Sequence, residues 1–242
     1  MGASEGTRPV VLSFDAVTTY ADRHWDQYAG RCLETFSQHW TEIDLHAFTD
    51  NQLEFQSDWL SAFKVRHARR PTTNYRFDAI RFAHKVAAIE LQYKYGSADC
   101  LVWIDADCVT HAHVDAIWLS GLLGNADFGY LRRLKKYPEC GFMLMRRCPS
   151  MDRFVSSLVD LYRTDNLFRL SEWHDSFAIE HVRHEAGIVC TSLSGKAENT
   201  GHPLVNGPLG ERLDHLKGKR KIVGRSRRSD LICSRSEEYW VG

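Results

Sequence analysis

Apolar and polar positions along the chain fall into two rhythms. Cys100-Leu-Val-Trp-Ile104 is an unbroken apolar run of strand length, which meets Asp105 and, two positions on, Asp107. Such a run, bounded by charge, predicts a buried strand. Ahead of it, Ile80, Ala83, Ala87, Leu91 and Tyr95 recur at helical spacing and Gly96 supplies a stop, so Arg76 to Gly96 is predicted helical. Val10-Val-Leu-Ser-Phe14 predicts a first strand that ends at Asp15, and the alternation from Ile43 to Thr49 predicts a second. Between them, Trp25, Tyr28, Cys32 and Phe36 place a helix over 22–39. Asn51 to Thr73 is mixed and predicts an irregular, partly helical excursion ending in the basic run Arg66 to Arg70 before Pro71. Phe128 to Leu131 and Gly141 to Arg146 are further strand candidates, Met151 to Thr164 a helix, and Ser171 to His184 a loop leading into a helix. From Gly195 onward the chain reads as loop. Strands alternating with helices in the first half predict an α/β fold with a mostly parallel central sheet flanked by helices.

The 242 residues suffice for one α/β domain with a real core, so 1–242 is expected to be a single domain. Formal net charge is zero, which gives no global argument for a nucleic-acid or membrane partner. Seven cysteines occur without a CxxC pair or zinc-finger spacing and point to free thiols in a reducing compartment. The segment Met1 to Thr7 lacks the basic and apolar regions of a signal peptide, and no apolar run approaches transmembrane length. The expectation is a soluble, cytoplasmic protein with no transmembrane segment. Twelve histidines and seven tryptophans suggest a polar, aromatic-lined site.

Candidate chemistry concentrates at two places. Residues i and i+2 on extended backbone point the same way, so Asp105 and Asp107 are expected to leave the end of the strand together. Two close carboxylates repel and favour a cation between them, and the carboxyl edge of an open α/β sheet is where ligands bind. A hard divalent ion carrying a phosphorylated substrate satisfies both conditions. The second place is Asp214-His-Leu-Lys-Gly-Lys-Arg-Lys221. His215 offers a neutral ring nitrogen to a metal, Gly218 permits close backbone approach to a phosphate, and Lys217, Lys219, Arg220 and Lys221 supply positive charge. The same run also reads as a solvated basic tail. Nucleic-acid binding is disfavoured because no aromatic residues interleave the charges. His111 and His113 have the spacing of a zinc pair on a strand but no third ligand follows, so a solvated turn is expected.

The segment Ile104-Asp-Ala-Asp-Cys-Val109 resembles the D-x-D segment of GT-A-fold glycosyltransferases that use nucleotide sugars. His215-Leu-Lys-Gly-Lys-Arg-Lys221 resembles the C-terminal histidine–glycine–lysine element of glycosyltransferase family 8. The resemblance implies a single GT-A, Rossmann-like domain, with 8–110 as its nucleotide-binding half and 111–225 as the acceptor half and C-terminal metal and phosphate loop. It implies transfer of a hexosyl or pentosyl group from a nucleotide-diphosphate sugar, with UDP as the expected carrier, to a hydroxyl acceptor such as a glycan. Mn2+ or Mg2+ would be held by Asp105, Asp107 and His215, with Ala106 between the acids at the nucleotide. Gly218 and Lys221 would meet the β-phosphate. Because Lys221 is followed by Ile222-Val223 rather than the family's Pro-Trp, Lys219 is a rival. Pro138 to Met145 is similar to the segment beside the donor sugar, with Glu139 where an asparagine is usual. Glu172-Trp-His-Asp175 is similar to the acidic loop-to-helix motif near sugar or acceptor, with Asp175 as a base, a donor-sugar ligand or simply a helix cap. Trp103, Trp173 and His174 are expected to stack on sugar rings. Phe14, Asp15 and Thr18 are expected at the nucleotide base, and Arg81 and Lys85, one helical turn apart, within reach of the nucleotide. Family members retain anomeric configuration, whereas a well-placed Asp175 base would imply inversion. Two other classes share parts of this pattern: a metal-dependent nucleotidyltransferase and a non-catalytic carbohydrate-binding module. The absence of glycine between Ser13 and Tyr20 counts against the nucleotidyltransferase.

Overall fold

The computed structural model describes residues 11–69 and 73–242. Val10, the segment Met1 to Thr7, Arg70 and Pro71 lie outside them. The first strand, β1, spans Phe14–Tyr20 and not the predicted Val10 to Phe14. Asp15 looked like a terminator, yet it lies inside the strand because Gln92 and Arg147 satisfy its carboxylate. The helix predicted over 22–39 divides into a short turn, a π-turn at Trp25–Ala29 and then α1, Gly30–His39. Strand β2 is Leu45–Thr49. The mixed segment that follows folds into α2, Asp50–Gln56, started by a Thr49/Gln52 capping box, and α3, Leu60–His67.

Helix α4, Ala79–Tyr95, begins where the Asp78 side chain accepts from the Arg81 amide. It leads into β3, Cys100–Ile104, as the hydrophobic pattern predicts. Next come β4, Cys108–Thr110, and α5, Ala116–Leu123. Strands β5, Phe128–Leu131, and β6, Glu139–Arg146, follow, and then α6, Pro149–Arg163, and α7, Asp175–Ala186. Strand β7, Cys190–Ser192, the single turn α8, Pro203–Asn206, and β8, Leu213–His215, were not anticipated. Another single turn, α9, spans Arg220–Val223.

Six strands form the main sheet in the order β2-β1-β3-β6-β5-β7. Only β6 runs against its neighbours, so the sheet is mostly parallel. Period-two alternation divides the core between its faces. Leu101, Trp103, Met143 and Met145 pack toward α4 and α6, whereas Val102, Ile104, Phe142 and Leu144 pack toward α1 and α5. Among the described residues, no helix is long and apolar enough to cross a membrane.

One small sheet decides where the chemistry sits. Strand β4 pairs antiparallel with β8, and the register sets Cys108 opposite His215. This pairing carries a residue more than 100 positions away to the position beside Asp107. The buried Asp214 carboxylate holds the segment in place, accepting from the Ser226 amide at 2.7 Å, the Ser226 hydroxyl at 2.6 Å and the Tyr239 hydroxyl at 2.8 Å.

Candidate active site

Strand β3 stops at Ile104, and the next three residues form a turn closed by the Cys108 amide donating to the Asp105 carbonyl at 2.9 Å. Asp105 and Asp107 therefore flank a turn; the continuous extended backbone expected from their spacing is absent. Both still face His215. Its Nε2 lies 3.0 Å from Asp107 Oδ1 and 3.7 Å from Asp105 Oδ2. Its Nδ1 lies 2.8 Å from Glu139 Oε1. The ring needs Gly141 beneath it: a Cβ at 141 would lie 2.5 Å from His215 Cε1 and 2.7 Å from Nδ1.

This donor set fits a hard or borderline divalent ion. A carboxylate on Nδ1 keeps that nitrogen as the protonated one and leaves Nε2, which faces the two acids, as the nitrogen that would give up its proton to a metal ion. Carboxylate oxygens and an imidazole nitrogen suit Mn2+. The Cys108 thiol is also within reach of Asp107 and His215, but burial pushes it well above its ordinary range, so it is a protonated neighbour. Burial would raise Asp107, but His215 and Lys221 outweigh that and hold it well below the carboxylate range. Burial would lower His215, but Asp107 and Glu139 raise it to about 9.

Two lysines answer the acids. Lys85, only 5% exposed, places Nζ 3.0 Å from Asp105 Oδ1, 2.7 Å from Asp175 Oδ2 and 2.7 Å from the Cys140 carbonyl. It also lies over the Trp103 ring, whose Nε1 donates to Asp105 Oδ1 at 2.7 Å. Burial opposes its charge, but Asp105 and Asp175 more than compensate, so Lys85 stays protonated. Lys221 reaches Asp107 Oδ2 at 2.8 Å and sits 4.1 Å from the Tyr28 ring centre. Lys219 is exposed, and Gly218 beside it occupies left-handed backbone at φ 57°.

Lys85, Trp103, Asp105, Asp107 and Lys221 line a cleft of about 650 Å3, and the buried His215 ring is not part of its lining. Arg81, Lys85, Asp105, Ala106, Asp107, Asp175 and Lys221 all border it. Seven predicted residues do not: Phe14, Asp15, Thr18, Glu139, His215, Gly218 and Lys219. Phe14 and Asp15 are at the amino end of β1, around a separate cavity, because the strand runs six residues further than expected and its carboxyl end is Tyr20. Thr18 is fully buried inside β1, and its neighbours Thr19 and Tyr20 face the cleft instead. Glu139, 3% exposed, lies behind His215, bound to its Nδ1 and to Lys217 Nζ at 2.8 Å. It cannot touch a substrate in the cleft, so its assignment as a catalytic residue is corrected to positioning His215. Asp175 borders the cleft but is not the helix cap; His174 holds that position, and Asp175 accepts from Lys85 and from the Ser176 amide. Burial would raise its pKa, yet Lys85 keeps it below the ordinary value, which makes it a weak base. Trp173 makes T-shaped contacts with Phe77 and Phe168, and His174 with Tyr137, and neither residue lines the cleft. His111 stacks on Tyr239 and His113 pairs with Asp115, so the two do not share a metal.

Sequence reasoning missed Tyr20, Gln27 and Tyr28 on the cleft wall. The signal for Tyr20 was present: two threonines and an aromatic residue continue the β pattern beyond Asp15. Removing Asp15 tests its corrected place. Asp15→Ala leaves Arg147 unpaired in a largely buried position and is expected to cost roughly 2–4 kcal/mol of stability. Chemical denaturation checks this, and binding of nucleotide to the cleft should not weaken.

No family model matches the chain, and no curated protein matches it in sequence. Solved structures do resemble it. A glycosyltransferase involved in glycosylation of the major capsid of PBCV-1 aligns at a TM-score of 0.51 and 10% identity, covering 87% of this chain and 99% of that one. The WbbM bifunctional glycosyltransferase aligns at 0.47 and 13% identity over 80% of this chain, and GlyE of Streptococcus pneumoniae TIGR4 at 0.44 and 11% over 76%. The chain spans 40% of the WbbM chain and 46% of the GlyE chain. At such identities the likeness is one of fold. The mixed α/β fold predicted from the sequence is present and is shared with the PBCV-1 enzyme.

Proposed function

We propose that the protein is a metal-dependent glycosyltransferase that moves a sugar from a nucleotide-diphosphate donor to a hydroxyl acceptor. The observation that carries this reading is the convergence of Asp105, Asp107 and His215 on one point, with Glu139 fixing the imidazole from behind. Asp105, Asp107 and His215 would hold Mn2+ or Mg2+. When bound, the ion would supply Lewis-acid stabilisation of the diphosphate leaving group. The motif likeness to family 8 supports UDP as the carrier and retention of configuration.

The chain's own residues divide the remaining work. Lys221 adds positive charge at the leaving phosphates, where negative charge grows as the glycosidic bond breaks. It is better placed than Lys219, because it already faces Asp107. Arg81, exposed at the cleft edge, adds a second cation. Tyr20 and Tyr28 offer ring surface to a base, and Gln27 offers amide hydrogen bonds. Asp175 orients Lys85 toward Asp105, which favours a positioning role for it over deprotonation of the acceptor. That removes the reason to expect inversion.

The test is hydrolysis of a panel of nucleotide sugars in the presence of Mn2+, followed by release of nucleoside diphosphate. Turnover of at least one UDP-sugar, abolished by chelation, is expected. A thermal shift with nucleoside triphosphates and none with UDP-sugars would overturn the reading in favour of nucleotidyl transfer.

A further inference from the structure

A second cavity, of about 280 Å3, lies between the β5–β6 loop and α7. Its wall carries five cations: Arg132, Arg133, Lys135, Lys136 and Arg183. Glu180 pairs with Arg183 at 2.7 Å, and Glu198 lies 3.8 Å from Arg132. Arg133, Lys135 and Lys136 have no carboxylate within 4.0 Å among the described residues, and the two lysines are exposed. Like charges gathered in this way repel unless an anion joins them.

The loop that holds them is fixed. Arg133 Nε donates to the Tyr137 carbonyl at 2.8 Å, and the Leu134 amide donates to the Glu198 carbonyl at 3.0 Å. Lys135 turns the chain through left-handed backbone at φ 58°. The cation heads are thus presented by a pinned scaffold, which lowers the entropy cost of capturing a ligand.

The position relates this cavity to the first. Strands β3 and β5 are both antiparallel to β6, so their carboxyl ends share one edge of the sheet. The loop runs directly into Glu139, which braces His215. Helix α7 starts at Asp175 on the cleft wall and carries Arg183 eight residues on, about 12 Å along the axis. The donor-side groups come from β1, α4 and the C-terminal loop, so this cavity flanks the opposite side of the reacting centre. Its exposed surface offers no free ring for base stacking, since Arg183 covers Tyr130.

We propose that the basic cavity binds an oxyanion, phosphate or carboxylate, carried by the acceptor, so that the enzyme selects anionic acceptors over neutral ones. This rests on the glycosyl-transfer reading above and adds the acceptor's chemical class to it. Arginine forks and lysine ammonium groups fit either oxyanion, and a neutral glycan would gain nothing from them.

The test uses the full chain with UDP and Mn2+ present to occupy the donor site. Glucose 6-phosphate, glucuronate and glucose are titrated as probes and followed by NMR. One or both charged probes should bind at least tenfold more tightly than glucose, and the stronger of the two identifies phosphate or carboxylate as the group recognised. The double variant Lys135→Gln/Lys136→Gln should weaken that binding about fivefold, with the loss growing smaller at high salt. The charge-matched control Lys94→Gln, on the exposed side of α4, should bind as the unmodified protein does. Equal affinity for glucose and both charged probes, or undiminished binding by the double variant, overturns the proposal. If the unmodified protein hydrolyses no UDP-sugar with Mn2+, the glycosyl-transfer reading fails and the acceptor assignment falls with it, even where oxyanion binding persists.

Discussion

Asp105→Asn combined with Asp107→Asn is expected to lower metal-dependent turnover of the donor by at least about 10^3-fold while leaving the fold in place. The size follows from what the pair would do. Two carboxylates and His215 supply the donor atoms around one point, and amide oxygens are neutral and far weaker ligands for a hard ion. Asn keeps the shape of Asp, so packing around the turn changes little. Loss of charge also frees Lys221 from Asp107 and removes one of the two acids at Lys85. Steady-state hydrolysis of the UDP-sugar over a series of Mn2+ concentrations measures the effect, with near-ultraviolet circular dichroism as the check on fold. Full activity in the folded double variant would remove the acid pair from the mechanism. Unchanged metal-dependent ligand binding in it would favour a carbohydrate-binding module.

The second large effect is on stability. Lys85→Met should cost about 3–5 kcal/mol, because it leaves Asp175 and Asp105 facing each other without the cation that joins them. For a chain of 242 residues that corresponds to a fall in Tm of roughly 10 °C. Met preserves the length of the side chain, so the loss reports charge and hydrogen bonding more than packing. Adding Asp175→Asn should recover part of the loss, since the second change removes one uncompensated buried carboxylate. Thermal unfolding of the two single variants and the double variant gives the coupling. Strict additivity would mean that Lys85 and Asp175 do not act as a pair.

How much of this was legible beforehand differs from residue to residue. Strand β3 and its terminal acids could be read from the apolar run alone, because a continuous hydrophobic segment that ends in charge has few other uses. Lys85 was visible as a basic residue on a helix but not as a buried one: the helix is buried on all sides from Ala83 to Ile89, and a lysine in that context has no sequence signature for its partners. His215 came from likeness of motif, whereas its delivery to Asp107 depends on β4 and β8, strands of three residues that no periodicity can reveal. Asp15 misled in the opposite direction. A charged residue normally closes a buried strand, and only the distant Arg147 and Gln92 make it an interior position. Glu139 stood where a substrate contact was expected, but β6 begins two residues earlier than the pattern suggests and turns that carboxylate inward onto His215.

The most direct test is a crystal soaked with UDP and Mn2+, with anomalous scattering used to locate the ion. The account predicts one manganese peak bonded to Asp107, Asp105 and His215 Nε2, with the diphosphate of UDP on its open side. Manganese bound elsewhere with UDP in the cleft, or UDP held there with no ion at this position, would contradict it.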